Sequence, residues 1–215
     1  MRVLQILLTI LLIVNVGCSQ PPSNKNIQVD SEFKMNDKMD DIEFWKIMDY
    51  SFAVASGDKR KQEEIIIKKL SAYSPEQIVE FEILLCEKLI EANDFKVMAA
   101  EKIIDGSVTD DTYLYFRCWL ISRGKTDFIN TLRQPEYLAS VVEKGIETDF
   151  EGLLYVSTEA YKNKTGKKVE DDTFPRNVAS DKGLNYDFGG PKTTGTDWKE
   201  EELPKLYPKL WAKFN

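Results

Sequence analysis

Apolar positions recur at intervals of three and four from residue 40 to residue 164, while strict alternation of apolar and polar residues is scarce. That periodicity predicts helices rather than half-buried strands. Asp40-Asp41-Ile42-Glu43 reads as a helix start with a carboxylate cap and a reciprocal glutamate, and Trp45, Met48 and Phe52 continue one face until the helix ends near Gly57. A second helix over 59–72 buries Ile66, Ile67 and Leu70. Ser74-Pro75-Glu76-Gln77 then supplies a cap, an N1 proline and a capping-box glutamine for a third, with Ile78, Phe81, Leu85 and Leu89 facing inward. Further helices are expected over 94–104, closed by Gly106, and over 113–122, capped by Thr109-Asp110-Asp111 and stopped at Gly124. Shorter ones follow over 126–132 and 136–143, and 150–164 ends the set at Gly166.

Beyond this point the pattern changes twice. Residues 167–196 lose their periodicity and gather glycine and proline between Gly183 and Gly195, which predicts a long irregular loop that folds back on the core. Residues 197–215 regain helical spacing in Leu203, Leu206, Leu210, Trp211 and Phe214, with Pro204 and Pro208 limiting its regularity. The expected fold is therefore mainly α: a compact multi-helix domain over 39–166, the loop 167–196, and a C-terminal helical segment 197–215 packing on the domain.

The amino terminus has different anatomy. Arg2 precedes an apolar run over 3–16, and Gly17 is a small residue before Cys18, the order of a secretory signal. The run is shorter than the roughly 20 residues that span a hydrocarbon core, so a removed signal over 1–17 is the better reading than a permanent span. Val14-Asn15-Val16-Gly17-Cys18 resembles the lipobox of bacterial lipoproteins, although Asn15 stands where that pattern has an apolar residue. The resemblance implies diacylation at Cys18, cleavage at its amino side and anchoring in a membrane. Each buried lipid methylene contributes about 0.8 kcal/mol, so two or three chains anchor essentially permanently. Polar, prolyl residues follow Cys18, and 18–38 reads as a lipidated flexible tether. The implied location is the bacterial cell envelope, with the outer membrane favoured in a two-membrane cell because Ser19 rather than aspartate follows the cysteine.

Charge narrows the partners. Loss of Arg2 with the signal leaves 28 of the 29 basic side chains against 36 acidic ones, a net of −8. Nucleic acid is not expected, because binding a polyanion needs a basic patch that releases counterions; a basic protein partner is the better match. The chain contains no histidine, which excludes histidine-based triads, histidine-ligated zinc and imidazole pH switches. No cofactor, metal site or catalytic residue is expected.

Several strings carry a family resemblance: Phe44-Trp45-Lys46-Ile47-Met48, Ser74-Pro75-Glu76-Gln77-Ile78, and above all Tyr115-Phe116-Arg117-Cys118-Trp119-Leu120-Ile121-Ser122-Arg123-Gly124. With Leu154-Tyr155-Val156, Glu159-Ala160-Tyr161, Leu203-Pro204-Lys205-Leu206 and Leu210-Trp211-Ala212-Lys213-Phe214, they resemble the bacterial domain of unknown function family 4240. The likeness covers about 39–166 plus the tail. It implies no activity and no catalytic residues, and the lipid signal and the extended loop depart from the family's usual pattern.

Arg117 is the residue to follow, because Leu114 and Ile121 flank it on its helix face. One reading pairs it with a carboxylate such as Asp110, Asp111 or Glu159. The other makes it an anion-recognising fork in a shallow pocket with Trp119 and Tyr155. Cys86 and Cys118 are expected as two buried free thiols, or as a bridge if their helices touch. Gly189-Gly190-Pro191-Lys192-Thr193-Thr194-Gly195 imitates a phosphate loop but has Pro191 before the lysine, so it reads as an ordinary loop. Three functions compete: a non-catalytic protein-interaction module on a membrane anchor, a binder of small anionic ligands or envelope accessory factor, and a carboxylate-based hydrolase.

Overall fold

Side-chain oxygens start the first five helices, each satisfying backbone N–H groups that a helix leaves unpaired. Asp40 opens α1 (Asp41–Ala55), accepting from Ile42 and Glu43 N–H at 3.0 Å each. Asp58 opens α2 (Lys59–Leu70), and Ser74 opens α3 (Pro75–Glu91) in a full capping box with Gln77. Asp94 and Thr109 do the same for α4 (Phe95–Asp105) and α5 (Asp110–Ser122). The expected reciprocal cap from Glu43 does not form. Its side chain is buried and accepts instead from the Tyr73 hydroxyl and from Asn36 N–H (3.3 Å), with Lys46 at 3.1 Å. A buried carboxylate goes where donors are densest.

The computed structural model describes residues 33–187 and 189–215. The expected signal and most of the expected tether, Cys18 included, fall outside the described residues. Residues 34–215 form one unit, and among the described residues the secondary structure is helical apart from a single β-bridge between Asp94 and Thr194. The chain just ahead of α1 is not free of the domain, since the Gln77 amide donates to the carbonyl of Asp37 at 3.1 Å.

At the centre lies α5, buried at every position from Phe116 to Ser122, as expected of a helix enclosed on all sides. Around it pack α1, α3, α4, α6 (Lys125–Arg133) and a 3-10 turn, Glu151–Tyr155. Phe44, Ile47, Ile66, Leu70, Phe81 and Leu85 form the adjoining core, with the Phe44 ring 4.9 Å from that of Phe81. The start of α6 is capped from elsewhere: Asp49 of α1 accepts from Lys125 N–H at 2.9 Å. Gly124 makes this approach available. Its φ is +95°, and a Cβ there would lie 2.1 Å from Asp49 Oδ1. Gly124→Ala is therefore expected to cost roughly 2 kcal/mol of unfolding free energy, read from the urea midpoint. A loss below about 0.5 kcal/mol would show that Asp49 yields freely.

The stretch expected as 136–143 helix is a 3-10 turn, Pro135–Tyr137, followed by α7 (Leu138–Val141), and 150–164 divides into the 3-10 turn and α8 (Val156–Thr165). A larger correction concerns 167–196. That stretch is not irregular throughout, because α9 (Pro175–Asp181) forms within it and packs on α3 and α8. Phe174 and Ala179 are buried there, and Leu184 and Tyr186 cover Ile83 and Cys86. Seven residues are too few to show a helical period, although Pro175 at N1 was a local signal. The rest of the loop does fold back: Thr194 exchanges backbone hydrogen bonds with Asn93 and Phe95 at 3.0 Å, and the Trp198 indole donates to the Phe95 carbonyl at 2.7 Å. The tail forms α10 (Leu203–Leu206) and α11 (Pro208–Phe214), divided near Pro208, and α11 packs on α4 and α7.

Candidate functional site

Arg117 is buried, yet no carboxylate among the described residues pairs with it. One guanidinium nitrogen donates to the Leu89 carbonyl at 2.9 Å and the other to the Tyr186 carbonyl at 3.3 Å, over the Tyr113 ring at 4.8 Å. Leu89 lies in the last turn of α3, where carbonyls lack intrahelical partners and carry the negative end of the helix dipole. The counter-charge expected from an acidic side chain is thus supplied by a helix terminus. Burial still pushes the Arg117 guanidinium below its ordinary range, and its Nε has no partner among the described residues.

Both sequence readings of Arg117 need correction. Asp110 is exposed in the first turn of α5, and Glu159 pairs with Lys162 at 3.1 Å. Trp119 lies under the Arg123 guanidinium (5.0 Å) and against Phe116 (5.2 Å), while Tyr155 is exposed, bonds Glu151 at 2.8 Å and faces Arg176. Asp110 thus stays at the surface, and Arg117, Trp119, Tyr155 and Glu159 each have partners outside the expected set. Arg117 acts as a joint between α3, α5 and the segment after α9.

Two buried carboxyl groups lie on α3 and α4, the helices packed against α5. Glu82 of α3 accepts from the Cys86 thiol at 3.7 Å, on the helix that α9 covers. Burial raises the pKa of Glu82, against a smaller opposing pull from Ser157 and Arg176. Cys86 and Cys118 are free thiols in the buried core, and burial drives both well above the ordinary thiol range. They remain thiols near neutral pH and are poor nucleophiles. Glu101 of α4 is fully buried, neither of its oxygens has a hydrogen-bond partner, and burial pushes its pKa up to about 8. Its carboxyl is then largely protonated at neutral pH.

On the surface, a groove of about 690 Å³ runs between the α6–α7 segment and α11. Arg133, Lys209 and Lys213 line it together with Asn130, Gln134 and Glu136. Glu136 is buried and accepts from the backbone N–H of Lys209 (2.8 Å) and Leu210 (3.2 Å), which fixes α11 in place. Lys213 donates to the Ala139 carbonyl at 3.0 Å. Tyr137, also in the lining, donates to Asp127 at 2.7 Å, and Asp127 in turn pairs with Arg123 at 2.7 Å. The α6–α7 wall is thus braced from inside. No local signal in the sequence marks these residues as a set, since nothing local joins α6 to a helix at the far end of the chain.

A family model described as a protein of unknown function (DUF4240) matches residues 39–163, more than half of the chain. The chain belongs to the DUF4240 family. The match takes in α1 to α7 and most of α8 of this DUF4240 protein, including the Arg117 joint and the α6–α7 wall of the groove. The helices α9, α10 and α11 lie beyond it. No curated protein and no solved structure matches the chain. Among the described residues, no group of three or more metal-ligating side chains is gathered, and no helix is long and apolar enough to cross a membrane.

Proposed function

We propose that this DUF4240 protein is a lipid-anchored module of the bacterial cell envelope whose helical domain acts by binding a partner rather than by catalysis. The observation that carries the reading is the signal-like run ending in Val14-Asn15-Val16-Gly17-Cys18, which presents Cys18 for acylation. The fold supports a binding role, because its buried polar groups serve the architecture: Arg117 ties elements together, and the two thiols are sealed in the core. The surface is acidic. Asp110, Asp111 and Glu201 are exposed and have no ion pair among the described residues, which suits a basic protein partner. Ser19 after the cysteine favours the outer membrane in a two-membrane cell.

Fractionation of cells grown with labelled palmitate tests the anchor. The native chain is expected in the membrane fraction and labelled, and the Cys18→Ala form unlabelled and released from the tight membrane pool. A native chain without label overturns the anchor. Mild crosslinking in intact cells tests the partner: capture of one basic protein, reduced by Asp110→Lys with Asp111→Lys and by added salt, supports the reading. Capture that ignores both changes speaks against an acidic docking surface.

A further inference from the structure

We infer that the groove between the α6–α7 segment and α11 is a binding site for a small molecule carrying two or more anionic groups, phosphate or carboxylate. The inference rests on reading the domain as a binding module and is independent of its lipid anchor. The chain as a whole carries a formal charge of −7, yet this concavity gathers Arg133 from α6 with Lys209 and Lys213 from α11. Arg133 and Lys209 are exposed and make no ion pair among the described residues. Lys213 is held at the Ala139 carbonyl and approaches Glu143 at 3.8 Å. Arg133 and Lys209, brought together from two parts of the chain without an ion-pair partner, repel one another, and an anion placed between them removes that cost.

The single acidic residue of the lining does not cancel them. Glu136 directs Oε1 at the backbone N–H groups of Lys209 and Leu210, so part of its charge is taken up by the start of α11. Asn130 and Gln134 add amide donors on the α6 side, and Arg133 offers the planar fork that suits carboxylate and phosphate oxygens. The volume of about 690 Å³ lies within the usual range for a small-molecule site and exceeds what one inorganic anion fills. Because the cations stand on two walls, a bound polyanion bridges α6 and α11. Occupancy therefore clamps the tail onto the domain.

The test uses the full chain in neutral detergent micelles, titrated calorimetrically with tripolyphosphate and with citrate, and followed by hydrogen exchange over residues 208–214. A second arm replaces the soluble anions by phosphatidylglycerol mixed into the micelles, which separates a free polyanion from a lipid headgroup as the source of the charge. Saturable binding in either arm is expected, with slower exchange of the 208–214 amides. Arg133→Glu with Lys209→Glu should weaken it roughly tenfold or more. Lys61→Glu, an exposed charge reversal on α2, should leave it unchanged. The absence of saturable binding in both arms overturns the site, and so does binding that survives the double reversal. Either failure leaves the fractionation result for Cys18 standing.

Discussion

Arg117→Ala is expected to lower the unfolding free energy by about 3 to 5 kcal/mol, measured by urea denaturation of the purified chain. The substitution removes the guanidinium that the carbonyls of Leu89 and Tyr186 accept from, at 2.9 and 3.3 Å, in a region closed to solvent. It also removes the cation at the C-terminal end of α3 and the group stacked on Tyr113. Each unsatisfied buried carbonyl costs roughly 1 to 3 kcal/mol, and the cavity adds to this. The desolvation of the charge works in the opposite direction, since burial already holds the guanidinium below its ordinary range. Two lost acceptor contacts and a cavity outweigh it. Arg117→Lys should recover only part of the loss, because a point charge cannot serve both carbonyls from one position. A loss under about 1 kcal/mol would mean that water enters and takes over the guanidinium's place.

Glu101→Gln is expected to remove a dependence of stability on pH worth roughly 3 kcal/mol between about pH 5 and about pH 8. The Glu101 carboxyl is pushed from an ordinary 4.5 up to about 8, with burial as the main cause. Between those two values the folded chain holds a proton that the unfolded chain has lost. Stability consequently falls as pH rises through the window, and the full penalty is present above the folded value. Glutamine carries no proton to lose. The variant should match the native chain within a constant offset near pH 4.5 and gain on it steadily toward pH 8. Glu82, also raised by burial, contributes a slope of the same sign that remains in the variant. Identical slopes in the two proteins would show that Glu101 reaches water and ionises normally.

Helix starts are legible because a cap acts over three residues. Ser74 and Gln77, or Thr109 and its first-turn neighbours, carry their structural meaning in the sequence itself. Glu43 fits the same local pattern, but the buried Tyr73 hydroxyl from thirty positions away takes it. Helix α9 escaped because its seven residues are shorter than two helical turns and it is held by packing on α3 and α8 rather than by its own amphipathic stripe.

The sequence by itself determined the helical class, most helix boundaries and membership of the DUF4240 family. Periodicity, caps and glycine stops all act between near neighbours. Only the tertiary structure decided what Arg117 touches, because its acceptors are backbone carbonyls, which every residue possesses and no side chain announces. The groove likewise depends on Glu136 seating a helix start 73 positions further along the chain. The charges of Arg133, Lys209 and Lys213 are plain in the sequence, but their convergence is set by packing, since Coulomb repulsion among them is felt only once the core has brought α6 and α11 together.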